Sequence, residues 1–355
     1  MSRIAVIGGG ITGLAAAHRL TELDPHTKPW LFESGPRPGS VLATESVDGF
    51  RIEAGPDSML AQLPWGMELC RRIGIADELI GTSSHTGQTW IVRSGRLLPL
   101  PDGLAIMAPR RLWPTVCSPI LSIAGKLRLA CEPFMPRRKQ AGDESLAEFA
   151  SRRVGRETFE RLVQPLVSGI YMADPQRLSI QAALPRFAAM ESEHGSLIRA
   201  ARRSAAAERK KQSSARTSSA PASMFVAPRA GMGGLISALA SRLPAGSIRL
   251  NSTVQELIRT PEGDWRVRGL AGPKPFDERF EAVILATPSN RTAELLKGID
   301  RPLASELSEI SYSRRDVCAC GGRHKAGQAA RYSRRRCCSA SSRSPNRRYN
   351  TANCP

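Results

Sequence analysis

A glycine-rich turn between a short strand and a helix is the feature that most constrains the fold of this chain. Residues 3–7 (Arg-Ile-Ala-Val-Ile) form a short apolar run, and the alanine-rich sequence after the turn predicts a helix that ends at Leu23. The glycines of the intervening Gly-x-Gly-x-x-Gly pattern are Gly8, Gly10 and Gly13. A second apolar run ends at Glu33, 20 residues after the last of these glycines. This order and spacing are typical of a dinucleotide-binding βαβ unit.

Each part of the motif has a separate physical role. Gly8 permits the tight turn, Gly10 lets the backbone approach a pyrophosphate, and Gly13 lets the helix and strand pack closely. The N-terminus of the helix offers unpaired N–H groups and a partial positive charge to the phosphates. Glu33 is expected to accept hydrogen bonds from the adenosine ribose, and its charge disfavours a 2′-phosphate. A lone glycine pattern can be an ordinary turn, but here the strand, the helix and the acid agree, so we predict an adenine dinucleotide.

The sequence after Glu33 indicates which dinucleotide to expect. Residues 33–40 (Glu-Ser-Gly-Pro-Arg-Pro-Gly-Ser) do not enter another βαβ unit, as a nicotinamide domain would, and residues 48–58 are Asp-Gly-Phe-Arg-Ile-Glu-Ala-Gly-Pro-Asp-Ser. This part of the chain resembles the flavin-containing amine oxidase superfamily. The resemblance implies FAD as the cofactor, Arg37 along its pyrophosphate and the Gly55 turn close to the flavin. Ser40 departs from the pattern, because the family usually has a second glycine there.

A second informative stretch covers residues 164–180, Gln-Pro-Leu-Val-Ser-Gly-Ile-Tyr-Met-Ala-Asp-Pro-Gln-Arg-Leu-Ser-Ile. Its residues predict a helix that stops at Pro165, a loop centred on Gly169, a turn at Asp174 and a new helix capped by Ser179. Such a pattern fits an ordinary interhelical connection. The stretch is also very similar to the porphyrinogen oxidase signature P-L-x-S-G-I-Y-x-x-D-P-x-x-L-S. That resemblance implies FAD-dependent oxidation of protoporphyrinogen IX or coproporphyrinogen III in haem biosynthesis, with O2 as the acceptor.

The resemblance covers residues 1 to about 313 and implies a set of site residues. No side-chain catalyst is expected, because the cofactor carries the electrons and the protein orients the substrate; the main-chain carbonyl of Gly169 is expected to face the macrocycle. The implied cofactor-binding residues are Gly8, Gly10, Ile11, Thr12, Gly13, Glu33, Ser34, Arg37, Gly39, Ser40, Gly55, Pro56, Asp57, Ser58 and Val254. The implied substrate-binding residues are Ser168, Gly169, Ile170 and Tyr171. In the family, the strand that begins at Val254 contacts the adenine through its main chain.

Composition and charge limit the class of protein. With 355 residues and 41% hydrophobic content, the chain can bury the cores of two domains. Of the net charge of +19, residues 314–355 carry +10 (eleven Lys or Arg and one acid), which disfavours a nucleic-acid-binding role for the body of the chain. No window approaches eighteen consecutive apolar residues, and the N-terminus passes directly into a strand. These features predict a cytoplasmic protein without a transmembrane helix or signal peptide.

The predicted fold class is α/β: a Rossmann-like FAD-binding domain with a discontinuous substrate domain of mixed sheet and helices. We assign residues 1–65 and 225–300 to the FAD-binding domain, and 66–102 and 140–198 to the substrate domain. Residues 146–163 of the latter predict an amphipathic helix. Residues 103–139 combine apolar and basic residues in helical sequence, which favours a helical cap over an apolar pocket and leaves peripheral membrane association as the alternative. Residues 199–222 are of low complexity and predict a flexible linker, with a basic interaction arm as the minor alternative.

The family pattern stops near Ser313, and residues 314–355 form an aberrant tail that we expect to be disordered. Their Arg, Cys, Ser and Gly bias is typical of a GC-rich gene translated out of frame, so we hypothesise a frameshift there. Cysteine spacing in the tail does not match a tetrahedral zinc site, so no metal is predicted. Another flavin amine oxidase or desaturase, and an inactive truncated product with poor solubility and substoichiometric FAD, remain the alternative functions. The sequence leaves open which porphyrinogen is used and whether the chain forms a homodimer.

Overall fold

The structure is a computed structural model that describes residues 2–312, except residues 48, 62, 83–88, 110, 139–141, 172, 215–222 and 224. The predicted tail, with its hypothesised frameshift and its cysteines, lies outside the described residues. The strands are β1 (Arg3–Ile7), β2 (Lys28–Phe32), β3 (Thr44–Val47), β4 (Phe50–Glu53), β5 (Met59–Leu60), β6 (Leu79–Gly81), β7 (Trp90–Arg93), β8 (Arg96–Pro99), β9 (Leu104–Ala105), β10 (Ala108–Pro109), β11 (Phe225–Pro228), β12 (Ile248–Arg249), β13 (Ser252–Arg259), β14 (Trp265–Ala271), β15 (Lys274–Phe280) and β16 (Ala282–Leu285).

The helices alternate with these strands in the first and last thirds of the chain and dominate the middle. They are α1 (Ile11–Leu23), α2 (Pro64–Arg72), α3 (Leu112–Cys117), α4 (Ile123–Ala130), α5 (Leu146–Val154), α6 (Arg156–Thr158), α7 (Gln164–Tyr171), α8 (Ile180–Ala183), α9 (Pro185–His194), α10 (Leu197–Ser214), α11 (Met232–Ser241), α12 (Ser289–Leu296) and α13 (Arg301–Glu309). Short 3-10 turns cover Ala76–Glu78 and Glu132–Phe134, and a π-helical turn covers Phe159–Val163. In this described part of the chain, no helix combines the length and apolarity needed to cross a membrane.

A parallel sheet in the order β12-β2-β1-β16 positions the glycine-rich turn. Ala5 and Val6 of β1 are fully buried, as the apolar run predicts for a central parallel strand covered on both faces. One face packs against α1 and α11, where Leu14, Leu235 and Leu239 contribute to the core. The other face packs against the antiparallel sheet β13-β14-β15, in a cluster that includes Phe32 and Phe280. The predicted α/β fold class is therefore confirmed.

The helical middle of the chain has its own core. Phe149, Leu162 and Phe187 are fully buried in this cluster. The predicted helix over 146–163 has the expected buried side, but it is interrupted at Gly155, whose φ of +90° favours glycine and ends α5.

Two predictions for the middle of the chain were wrong. The helix does not stop at Pro165, because α7 continues through Gly169 to Tyr171. The preceding π-helical turn gives the physical reason, since a wider turn relieves the clash of a proline ring with the carbonyl four residues before it. The flexible linker was predicted over 199–222, but α10 extends to Ser214 and its residues Ala200 and Ala201 are buried. The rest of the predicted linker, residues 215–222, lies outside the described residues.

The buried imidazole of His18 on α1 makes the stability of the fold depend on pH. Its Nδ1 has no hydrogen-bond partner and lies 3.7 Å from Oε2 of Glu22. Burial lowers the pKa of His18 below its usual 6.5, assisted by Arg72, Arg242 and Arg19, and the Glu22 carboxylate opposes this only in part.

The His18 imidazole binds a proton more readily in the unfolded chain than in the folded one. The contribution of neutral His18 to the free energy of unfolding is therefore fully present above about pH 6.5 and is lost as the pH falls toward the folded-state pKa. We expect His18→Gln to lose this part of the pH dependence, measured by urea unfolding at several pH values between 7.5 and 5. The exposed His26→Gln is the matched control. A variant at His18 that keeps the full acid-side decline would contradict the assignment.

Candidate functional site

The first and last glycines of the turn are fixed by close packing. Gly8 has φ +111°, and a Cβ there would lie 2.5 Å from the carbonyl oxygen of Ala286, just after β16. A Cβ on Gly13 would lie 1.9 Å from the carbonyl oxygen of Gly8 itself. Neither position can therefore carry a side chain without moving α1 or β16 away from the turn. These contacts match the roles predicted for both residues.

The middle glycine faces open space and a second glycine loop. A Cβ on Gly10 would meet only the Cβ of Ser40, at 3.5 Å. The N–H of Gly39 donates to the carbonyl of Gly9 at 2.7 Å, and Gly39 forms a bridge with Gly10. Ser40 itself has φ +51°, a left-handed conformation that glycine adopts without strain. The serine thus has a backbone conformation that favours glycine, the residue usual at this position in the family pattern.

The carboxylate of Glu33 lies at the end of β2 and is held by backbone N–H groups. Its Oε2 accepts from Gly9 at 2.7 Å, its Oε1 accepts from Gly35 at 2.7 Å, and the hydroxyl of Ser34 lies 3.3 Å from Oε1. These bonds fix the acid beside the turn, at the position the 20-residue spacing predicts. A carboxylate oxygen has about two lone-pair sites, so Oε2, which accepts only the bond from Gly9, can accept a further bond from a ligand hydroxyl.

These residues line a cleft of about 280 Å³ at the carboxyl ends of β1, β2 and β16. Ligands of open parallel sheets bind at this end of the strands. Of the predicted cofactor residues, those that line the cleft are Gly8, Gly10, Glu33, Ser34, Ser40 and Val254. The lining residues outside the predicted set of cofactor residues are Ile7, Gly9, Phe32, Ser252, Thr253, Ala286, Thr287, Pro288, Arg291 and Leu295.

Arg37 and the Gly55 segment lie beside the cleft rather than in its lining. The Arg37 guanidinium donates to the carbonyl oxygens of Ser40 at 2.8 Å and Leu42 at 3.2 Å, so it fixes the second glycine loop. A Cβ on Gly55 would lie 2.1 Å from the carbonyl oxygen of Val41, a close approach that only glycine allows. Pro56 and Asp57 are exposed, and Ser58 donates to the Asp57 carboxylate at 2.8 Å.

A second glycine-rich sequence, residues 231–234 (Gly-Met-Gly-Gly), lies at the N-terminus of α11. Side chains of the β3-β4 hairpin bond to the N–H groups of this helix end. Oε1 of Glu53 accepts from the N–H of Met232 at 3.0 Å, and Oγ1 of Thr44 accepts from the N–H of Gly233 at 2.8 Å. Thr44 in turn donates to Oε2 of Glu53 at 2.8 Å. These bonds satisfy N–H groups that a phosphate would otherwise use, so a structural role explains this motif.

The predicted substrate residues 168–171 form the last turn of α7, and none of them lines the cleft. Ile170 is 58% exposed, and nothing lies within 4 Å of a Cβ placed on Gly169. The hydroxyl of Tyr171 donates to the carbonyl of Ala183 at 2.8 Å, which ties α7 to the end of α8. The last four carbonyls of a helix lack intrahelical partners, and Gly169 is among them.

The chemistry of the cleft fits one end of a dinucleotide. α1 begins after Gly10 without a side-chain cap, so the first N–H groups at Ile11 and Thr12 have no side-chain acceptor. The volume lies just below the roughly 300–1,000 Å³ of whole small-molecule sites, as expected for part of an extended ligand. Fold and cleft together define a dinucleotide-binding α/β protein.

The sequence model of the family described as flavin containing amine oxidoreductase matches residues 11–313. The chain belongs to this family. A coproporphyrinogen III oxidase of Staphylococcus aureus (strain NCTC 8325 / PS 47) is 31% identical over 290 residues, covering 80% of this chain and 60% of the relative. A coproporphyrinogen III oxidase of Propionibacterium freudenreichii subsp. freudenreichii is 34% identical over 331 residues, covering 86% of this chain and 61% of the relative.

Solved structures agree with the sequence relatives. A crystal structure from Exiguobacterium sp. 255-15, assigned as a protoporphyrinogen oxidase, superposes with a TM-score of 0.69 at 30% identity, covering 87% of this chain and 63% of that one. The chain thus spans about three fifths of the length of the relatives described. The predicted resemblance to porphyrinogen oxidases is confirmed, and membership of a flavin-containing family confirms the predicted FAD cofactor.

Proposed function

We propose that this chain carries out the flavin-dependent oxidation of a porphyrinogen to the porphyrin, with O2 as the final acceptor. The observation that carries the proposal is the similarity to coproporphyrinogen III oxidases, at 31–38% identity. Protoporphyrinogen oxidases of Arabidopsis thaliana, Spinacia oleracea, Nicotiana tabacum and Oryza sativa subsp. japonica are 25–30% identical to the chain. This difference favours coproporphyrinogen III as the substrate to test first.

In this proposal the chain binds FAD and orients the porphyrinogen, and no side chain acts as a catalyst. Bound FAD would supply the two-electron acceptor for the oxidation. The N-terminus of α1 and the open face of Gly10 would hold the diphosphate, Glu33 the ribose hydroxyls, and the main chain at Val254 the adenine. Arg37 would act indirectly, by fixing the loop that carries Ser40. The carbonyl of Gly169 at the end of α7 would face the macrocycle, beside Ser168, Ile170 and Tyr171.

Oxidation of each porphyrinogen under air tests the proposal. We expect the purified chain with added FAD to convert coproporphyrinogen III to its fluorescent porphyrin faster than FAD alone, and to convert protoporphyrinogen IX more slowly. The control reaction contains the Gly10→Ala variant, which is expected to lose FAD. A rate equal to the protein-free background, from a chain that binds FAD, would contradict the proposed activity and favour an inactive product.

We further propose that residues 103–139 touch a membrane surface as well as cover the helical core. Trp113, Ile123, Leu127 and Phe134 are 64–78% exposed, although the sequence favours burial of such residues. Co-sedimentation with anionic and neutral lipid vesicles, compared for the chain and its Trp113→Ser/Phe134→Ser variant, measures this contact.

The cytoplasmic location and the homodimer stay predictions. Light scattering of the purified chain tests whether it forms a homodimer.

A further inference from the structure

The cleft is lined by two charged residues of opposite sign. Among the described residues that line it, Glu33 is the acid and Arg291 is the cation. Arg291 belongs to the first turn of α12, the helix that follows β16. The diphosphate of a dinucleotide is anionic, and Glu33 adds a negative charge to the same cleft. A ligand of this class therefore needs a cation there to balance the charge.

Arg291 already contacts the strand edge that faces the cleft. One guanidinium nitrogen donates to the carbonyl oxygen of Val254 at 2.9 Å. Another forms an ion pair with Glu294 on the outer side of α12. Glu294 is 53% exposed and Arg291 39% exposed, so this pair is solvated and weak. An arginine has five N–H donors in a rigid fork, so donors remain for a ligand.

The arginine that the family resemblance places along the phosphates also bonds to its own loop. The guanidinium of Arg37 donates to carbonyls of its own loop and does not line the cleft. Arg291 follows Arg37 by 254 residues in the sequence, and the pairing of β16 with β1 brings it to the same site.

We propose that Arg291 is a cofactor-positioning residue that holds the adenylate half of the dinucleotide. Its charge balances the diphosphate, and its bond to Val254 holds the β13 edge in place. The inference rests on the proposed FAD site and adds to it a residue that neither the motif nor the family resemblance indicates.

Equilibrium titration of FAD and, separately, of ADP tests this role without any measurement of activity. We expect Arg291→Ala to weaken both ligands about tenfold or more, because it removes a charged hydrogen-bond donor. Arg291→Lys is expected to recover part of the affinity by keeping the charge. Arg291→Gln, which can still donate to Val254, should bind as weakly as Arg291→Ala and should reduce the dependence of affinity on salt.

Arg156→Ala is the matched control, because it also removes an exposed helical Arg–Glu pair, but away from the cleft. Circular dichroism confirms that each variant is folded. Glu294→Ala should leave FAD affinity unchanged or raise it, since it frees Arg291. Binding of FAD to Arg291→Gln within twofold of the unsubstituted chain would overturn the role of Arg291 alone. Failure of the unsubstituted chain to bind FAD or ADP would overturn the proposed cofactor site as well.

Discussion

Replacing Glu132 with Ala is expected to lower the free energy of unfolding by about 3–5 kcal/mol, the cost of leaving a buried charge without its partner. Glu132 and Arg153 are both completely buried and form an ion pair. The pair joins the 3-10 turn over Glu132–Phe134 to α5 in the centre of the helical core.

The carboxylate of Glu132 also caps the N-terminus of α10. Its oxygens accept from the N–H groups of Leu197 at 2.9 Å and Ile198 at 3.2 Å, and from the hydroxyl of Ser196 at 2.6 Å. On the other side, Arg153 donates to the carbonyls of Met135 at 3.0 Å and Gly195 at 2.9 Å. Loss of the carboxylate therefore leaves a buried cation and uncapped helix N–H groups together, and each carries a penalty.

Urea unfolding followed by circular dichroism measures this change. Glu160→Ala is the matched control: its partner Arg156 is 86% exposed and Glu160 48% exposed, so we expect a much smaller loss. Glu132→Ala/Arg153→Met should lose less stability than the sum of the single variants, because the double variant leaves no unpaired charge. A Glu132→Ala chain within about 1 kcal/mol of the unsubstituted one would contradict this account.

The elements that the sequence predicts well are those whose local pattern and tertiary environment agree. The apolar strands β1 and β2, the glycine turn and the acid at Glu33 form one continuous segment, and each constrains the next. Val254 was placed in the cleft from the family resemblance, and β13 does carry it there. β15 was missed because Lys274–Phe280 contains four charged residues and a proline, so its strand character depends on pairing with β14.

The features that the sequence does not predict depend on contacts between distant segments. Pro165 has the local signal of a helix end, and the π-helical turn before it overrides that signal. Most of α10 has the polar, low-complexity sequence that begins at residue 199, yet Glu132 caps the helix from 65 residues before Leu197 in the chain. An acid inside an apolar run was the signal that could have marked Glu132. The direction of a long side chain has no sequence signal, so the bonds from Arg37 to the carbonyls of Ser40 and Leu42 were not predicted.

Gly13→Ala is expected to lower the free energy of unfolding by about 3 kcal/mol, because the added methyl group overlaps a backbone oxygen that cannot move independently. The clash, 1.9 Å from the carbonyl oxygen of Gly8, would push α1 off the sheet. FAD binding should be lost with it. Thermal unfolding and FAD titration of the same samples measure both effects.

The variant Gly10→Ala, three residues away, distinguishes the role of the turn in packing from its role in FAD binding. Gly10 has φ −70° and ψ 179°, which alanine adopts freely, and its Cβ would touch only Ser40. We expect stability to be unchanged or raised by up to about 1 kcal/mol, because alanine reduces the freedom of the unfolded chain. FAD affinity should nevertheless fall at least about tenfold, because the methyl group occupies the space through which the backbone approaches the diphosphate. If Gly10→Ala binds FAD as tightly as the unsubstituted chain, the diphosphate does not lie on this turn, whatever the effect of Gly13→Ala on the fold.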